Sequence, residues 1–166
     1  MIRAGDGIGS LGADDVRRID QLLNRLVNDT DTRAAFLVDR AGRLLSRVGQ
    51  VDDLDETAFA SLASAGFAAS DQLAELLGEH EFSSLYHHGV ERSMFLADID
   101  GTAILAVLFD NRTTLGMVRI KTKSLVPLFA EALRRIIRGG PSGSVVPMDT
   151  AWATDAEAEI DRLFRE

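Results

Sequence analysis

The composition and charge of this 166-residue chain exclude several classes of protein. Its formal net charge of -8 provides no basic surface for nucleic acid, and its lack of cysteine excludes disulfides, thiolate catalysis and cysteine-ligated zinc. No apolar stretch reaches the roughly 20 residues of a membrane-spanning helix, and no signal peptide is visible. We therefore expect a cytoplasmic protein with one hydrophobic core, no nucleic-acid partner and no membrane insertion.

The chain begins with a glycine-rich segment, residues 1–13, which we interpret as a flexible tail. Its glycines do not predict a phosphate-binding loop, because such a loop follows a strand and no strand precedes this segment. The first helix is predicted to begin at Asp14, where apolar residues start to recur at helical spacing: Val16, Ile19, Leu23, Leu26 and Val27.

A hairpin and a long helix are predicted next. Residues 34–38 and 44–48 are typical of two strands joined by a tight glycine-containing turn. The helix is predicted over residues 54–77, with Asp53 and Glu56 as a capping pair. Its core face is predicted to be one apolar stripe, which comprises Phe59, Leu62, Gly66, Ala69, Leu73 and Leu76.

Three more strands follow the long helix. Residues 82–88 and 93–98 alternate in the manner of strands, and the unbroken apolar run 102–109 is typical of a strand covered on both faces at the centre of a sheet.

The last helix of the domain is predicted over residues 115–137, with a kink at Pro127 because proline removes a backbone hydrogen bond. The resulting order is α-β-β-α-β-β-β-α, in a domain of residues 14–138. The core side of this helix is predicted to consist of Val118, Leu125, Phe129, Leu133 and Ile136.

Beyond the domain, the composition predicts a linker over residues 139–149 and a short amphipathic helix over 150–166. The apolar side of this helix carries the only tryptophan of the chain. From the residues alone, this helix either folds back on its own domain or binds a partner as a helix in a groove. The large apolar residues of this helix are Trp152, Ile160, Leu163 and Phe164.

Three segments resemble the Roadblock (dynein light chain type) family, and in particular its bacterial members that regulate Ras-like small GTPases of the MglA type. They are residues 36–50 (FLVDRAGRLLSRVGQ), 61–79 (SLASAGFAASDQLAELLGE) and 108–118 (LFDNRTTLGMV). The C-terminal residues 160–166 (IDRLFRE) resemble the tail of the same bacterial proteins. The resemblance favours binding of this helix to the GTPase, linked to nucleotide exchange. It makes Trp152, Ile160, Leu163 and Phe164 the candidate partner-binding residues. The glycine-rich N-terminus has no counterpart in this resemblance.

The resemblance implies an α/β, Roadblock/longin-like fold, in which a five-stranded antiparallel sheet has the long helix on one face and the other two helices on the opposite face. It also implies a homodimer, joined sheet edge to sheet edge, that stimulates GTP hydrolysis in cell polarity or motility and is located at a cell pole. Such a regulator supplies no catalytic residue and takes no cofactor, metal or small-molecule substrate. The alternative is a Roadblock dimer that serves only as a scaffold or targeting platform.

A second stripe on the long helix is the candidate GTPase-binding face. Periodicity alone leaves two explanations of its small residues equally open. They allow another backbone to approach closely, or they are alanine-rich only because alanine favours helix formation. The resemblance assigns the face to GTPase binding, although a small residue is expected where Gln72 stands. The stripe comprises Ser61, Ala65, Ala68, Gln72 and Glu75.

Two other sets of residues suggest chemistry. The histidines His80, His87 and His88 invite a metal site, but adjacent strand residues point to opposite faces, so we expect them on an exposed edge strand instead. Arg112 lies in a loop and suggests an arginine finger for phosphoryl transfer. The resemblance argues against a finger, so we interpret Arg112 as a structural loop residue.

Overall fold

The computed structural model describes residues 12–139, and this range contains five strands and three helices. The order predicted from the sequence is confirmed. None of these helices is long and apolar enough to cross a lipid bilayer. In chain order the elements are α1 (Ala13–Thr30), β1 (Ala34–Asp39), β2 (Leu44–Gly49), α2 (Glu56–Leu76), β3 (Ser84–His88), β4 (Ser93–Ile99), β5 (Ala103–Phe109) and α3 (Leu115–Gly139).

All five strands form one antiparallel sheet in the order β2-β1-β5-β4-β3. The predicted central strand is confirmed, because β5 lies in the middle and nearly all of its residues are buried. Its apolar run reflects this position, since a central strand is covered by helices on both faces. The two edges are β2 and β3, and β3 is the more exposed of the two.

Helices α1 and α3 cover one face of the sheet and enclose the larger part of the core. Helix α1 contributes Ile19, Leu23 and Leu26, all fully buried. The apolar stripe predicted for α3 is confirmed, since each of its members is at most 5% exposed: Val118, Leu125, Phe129, Leu133 and Ile136.

Helix α2 covers the other face, as predicted, but its capping residue differs from the prediction. Asp55 is the N-cap, and its side chain accepts a hydrogen bond of 3.0 Å from the backbone N–H of Ala58. Asp53 does not cap the helix, because its backbone has a φ of 58° and belongs to the preceding turn.

The core face predicted for α2 was also wrong. The side that faces the sheet consists of Ala60, Ala63, Ser64, Phe67, Ser70 and Ala74. In the predicted stripe only Phe59 reaches the core, where its ring centroid lies 4.8 Å from that of Phe36. The remaining members of that stripe are exposed: Leu62, Gly66, Ala69, Leu73 and Leu76.

The reason for this orientation is the size of the side chains on the sheet. Phe36, Leu96 and Ile104 stand on the strands below α2 and are almost completely buried. Since these bulky residues fill the layer, the helix fits most closely when it turns alanine and serine toward them. Its leucines are thereby left on the outside.

Candidate functional site

The position of α2 is fixed by polar ties to the turn between β1 and β2. The hydroxyl of Ser64 donates a hydrogen bond of 2.7 Å to the backbone carbonyl of Arg40. The guanidinium of Arg40 donates to Asp71 on α2, at 3.1 Å, and to Asp98 on β4. One arginine therefore joins the helix to two parts of the sheet.

The Arg40 guanidinium also lies over the Phe67 ring, with its central carbon 5.0 Å from the ring centroid. Arg40 Nε and Asp71 Oδ1 are buried and have no hydrogen-bond partner among the described residues. Because a charged pair of this kind is costly to separate, we expect these ties to hold α2 in one place on the sheet.

The predicted GTPase-binding stripe forms one exposed strip on the fixed helix. All five of its residues are exposed, and they follow each other at intervals of four, three, four and three. The N-terminal half of the strip has only hydroxyl and methyl side chains, so another backbone can approach it closely. We call this surface the small-residue strip: Ser61, Ala65, Ala68, Gln72 and Glu75.

A second surface on α2 was missed by the sequence reasoning, which had placed it in the core. Leu62 and Leu76 are 71% and 83% exposed, and Leu73 and Leu77 are more than half exposed. Three of these leucines belong to α2 and Leu77 follows its last residue, and a helix rarely leaves so many leucines in water without a partner. We call Leu62, Leu73 and Leu76, with Gly66 and Ala69 between them, the leucine strip.

The two strips lie side by side, about a quarter turn apart on the helix surface. Gly42, in the turn between β1 and β2, approaches the small-residue side so closely that an added Cβ would lie 3.0 Å from the Ser61 Cα. Because this side of α2 faces the β1–β2 turn, the leucine strip lies on the flank of the helix that is directed away from that turn.

Two of the three histidines lie on an exposed edge strand, as the sequence predicted, and the third does not. His87 and His88 are in the edge strand β3, and His80 lies in the loop before it. His88 Nδ1 is 2.9 Å from the Tyr86 hydroxyl and 3.2 Å from Ser93 Oγ. Within residues 12–139, no three His, Asp or Glu residues are placed to hold a metal ion.

Arg112 is engaged in the loop between β5 and α3. Its backbone N–H and guanidinium both donate to Asp110 Oδ1, at 3.1 and 3.0 Å, and Arg33 Nε donates to Oδ2 at 2.6 Å. These bonds, that of the Arg112 backbone first, hold the pKa of the Asp110 carboxyl well below its usual range. The ion pairs support the interpretation of Arg112 as a loop residue.

A small cavity lies at the end of the sheet near Arg33, Arg92 and Phe109. Its volume of about 30 Å³ accommodates roughly two water molecules and no organic substrate. This cavity therefore does not provide a substrate site, and the exposed surfaces of α2 remain the best candidate for function.

The candidate tail residues Trp152, Ile160, Leu163 and Phe164 lie outside the described residues, as do residues 1–11 of the predicted N-terminal tail and nearly all of the predicted linker. Their roles remain predictions from the sequence.

The sequence and fold of this chain are similar to those of known proteins. The Roadblock/LC7 domain family matches residues 18–109. The chain is similar to Myxococcus xanthus MglB, with 36% identity and a TM-score of 0.68, over 70% of this chain and 95% of that one. No significant match is found among curated proteins.

Two further solved structures are similar at 25% identity, over 80% of this chain and 99% of theirs. One is an MglB with a tetrameric arrangement, with a TM-score of 0.74. The other is the gliding protein mglB from Thermus thermophilus, with a TM-score of 0.73.

Proposed function

Because the chain belongs to the Roadblock/LC7 family, we propose that it is a homodimeric regulator that binds a Ras-like small GTPase of the MglA type and stimulates its GTP hydrolysis. The observation that carries the proposal is the small-residue strip, which is exposed along a helix held rigidly by Arg40. The similarity to MglB from two organisms supports the same conclusion.

The dimer is formed by the β3 edge and the leucine strip. The outer side of β3 presents backbone N–H and C=O groups that a second copy of the strand can pair with. In the proposed dimer, pairing of two β3 strands brings the two leucine strips together. Burial of these leucines then stabilises the dimer.

The small-residue strip of each subunit remains free in this arrangement and together the two strips form the docking surface. Docking favours the hydrolysis-competent conformation of the GTPase, because the surface makes its contacts with that conformation only. The regulator contributes shape and no reactive group. Residues 150–166 assist by a separate contact that promotes GTPase binding and nucleotide exchange, and the complex acts in polarity or motility at a cell pole.

The test is single-turnover GTP hydrolysis by the MglA-type GTPase of the same organism, with and without the protein. We expect acceleration by the wild type. Ala68→Arg should abolish it, because a long charged side chain holds the two surfaces apart. Ala13→Arg is the matched control, since Ala13 is also an exposed helical alanine but lies on the opposite face of the sheet. Full stimulation by Ala68→Arg would refute the assignment of the strip.

A scaffold that binds the GTPase without stimulating it is the second candidate. Gln72 favours it, because this side chain adds bulk in the C-terminal half of the small-residue strip. Binding without acceleration in the same assay identifies a scaffold. Stimulation that increases in Gln72→Ala indicates that Gln72 only weakens the contact.

The proposed dimer is tested separately by sedimentation. Leu73→Glu places a charge in the leucine strip and should convert the dimer to monomers that remain folded. An unchanged dimer would show that the subunits pair elsewhere.

A further inference from the structure

Helix α3 has an exposed apolar strip on the side that faces away from the sheet. Ile120 is 68% exposed, and Met117 and Leu128 are each more than a third exposed. With Pro127, which is also exposed, they lie within about a third of the helix circumference, opposite the buried stripe. We call these four residues the α3 strip.

The α3 strip is bordered by positive charge. Helix α3 carries six basic residues and one acidic residue, in a chain whose formal net charge is -8. Arg119 and Lys123 border the strip on one side, and neither forms an ion pair with any residue of the described range. On the other side, Lys121 lies 3.6 Å from Asp29 of α1.

Residues 150–166 of the same chain have the complementary pattern. Their apolar residues recur at helical spacing, at Trp152, Ala156, Ile160 and Leu163–Phe164, and the segment contains five acidic and two basic residues. An apolar stripe with acidic flanks matches the apolar strip of α3 and its free basic flank.

The connection between the two is long enough. Helix α3 ends at Gly139, so Leu128 lies about 17 Å and Met117 about 33 Å back along its axis. Residues 139–149 span up to roughly 36–40 Å when extended. A helix formed by residues 150–166 would be about 25 Å long. It can therefore return along α3, run antiparallel to it and cover the strip.

We propose that residues 150–166 dock as an amphipathic helix on the α3 strip of their own subunit. The apolar residues of the segment pack on Met117, Ile120 and Leu128, and its carboxylates face Arg119 and Lys123. This docking gives the segment a position in the absence of any partner. It also competes with the contact to a GTPase proposed above, but it occurs whether or not that function is correct.

Trp152 reports on the docking, because it is the only tryptophan in the chain. Its accessibility is measured by acrylamide quenching of fluorescence in the full-length protein, with a synthetic peptide of residues 150–166 as the fully accessible reference. We expect Trp152 in the protein to be clearly protected relative to the peptide. Accessibility equal to that of the peptide would overturn the proposal.

The apolar part is tested by Ile120→Glu. This change should weaken docking by about tenfold or more and raise the quenching toward the peptide value. Val90→Glu is the matched control, because Val90 is a fully exposed apolar residue in the turn between β3 and β4. It should leave the quenching unchanged. Protection that survives Ile120→Glu would overturn the assigned surface.

The charged part is tested by a reciprocal exchange. The double variant Arg119→Glu with Lys123→Glu should expose Trp152, and adding Asp155→Lys with Glu159→Lys, which lie four residues apart on one flank of the helix, should restore its protection. Such rescue requires that the two sets of charges face each other. Failure of the rescue, with the fold intact by circular dichroism, would overturn the assigned pairing.

Docking on the same subunit is distinguished from docking on a second copy by subunit mixing. Subunits of the Ile120→Glu variant are exchanged with subunits of Trp152→Phe, so that every tryptophan belongs to a chain whose own α3 strip is damaged. We expect Trp152 to remain accessible. Protection in the mixture would show that the segment binds the intact α3 of another subunit, and would overturn the proposal.

Discussion

Replacement of Phe67 by alanine tests the orientation of α2, on which the whole candidate site depends. Phe67 is the one large side chain that α2 buries completely, and its ring lies under the Arg40 guanidinium. Truncation of a fully buried phenylalanine costs about 3–5 kcal/mol, from lost apolar burial and from the cavity that remains. The lost cation–π contact adds to this cost.

The expected loss is large for a domain of this size. If the free energy of unfolding lies in the usual range of about 5–15 kcal/mol, Phe67→Ala removes between about a fifth and all of it. Each kcal/mol lowers the melting temperature by roughly 4 °C in such a domain, so we expect a decrease of about 12–20 °C. Phe67→Leu, which preserves most of the volume, should cost only about 1–2 kcal/mol.

Leu76→Ala is the comparison variant, because Leu76 is 83% exposed on the same helix. It should cost less than about 1 kcal/mol of subunit stability. Any further loss should depend on protein concentration, since it would arise from pairing of leucine strips. Both variants are measured by thermal and urea unfolding at two concentrations. A loss below about 1 kcal/mol for Phe67→Ala, or an equal and concentration-independent loss for Leu76→Ala, would refute the orientation.

Three further predictions concern the loop at Asp110, the turn at Gly42 and the C-terminal residues. The pKa of Asp110 is lower in the folded protein than in the unfolded chain, where it is about 4, so the ionised carboxylate stabilises the fold at pH values above about 4. This stabilisation is lost progressively as the pH falls below about 4. Acid should therefore destabilise the wild type more than Asp110→Asn, as measured by urea unfolding at pH 7 and pH 2.5. Gly42→Ala should lower the melting temperature more than Gly101→Ala, because both glycines have positive φ but only at Gly42 does an added Cβ meet the Ser61 backbone. Deletion of residues 145–166 should leave the dimer intact in sedimentation and weaken GTPase binding or exchange; unchanged affinity and exchange rate would contradict it.

The sequence predicts those parts of the fold in which the hydrophobic pattern is compatible with only one secondary structure and one buried face. The run of residues 102–109 is apolar on both sides and fits only a covered strand, and it became β5 at the centre of the sheet. The stripe of α3 is flanked by lysine and arginine, so its buried side was unambiguous. In both cases burial and periodicity point in the same direction.

The face of α2 could not be chosen in this way. The helix has apolar residues around most of its circumference, and the sequence alone gives the larger ones to the core. The structure reverses the choice, because Phe36, Leu96 and Ile104 on the strands already fill the space. An unusual number of alanines between the leucines was the available signal, since close packing on a bulky sheet requires them.

The ties that hold the site also escape the sequence. Arg40, Asp71 and Asp98 are separated by about thirty residues each, and only the sheet order brings them together. Likewise, Asp52, Asp53 and Asp55 are all acceptable caps by composition. The left-handed backbone at Asp53 decides in favour of Asp55.

The outward leucines of α2 have a consequence for how the protein is handled. A single subunit exposes the leucine strip to water, and an exposed apolar surface of this kind adheres to other hydrophobic surfaces. The dimer proposed above would cover this surface, so dilution that dissociates the dimer should increase adsorption of the protein to apolar surfaces.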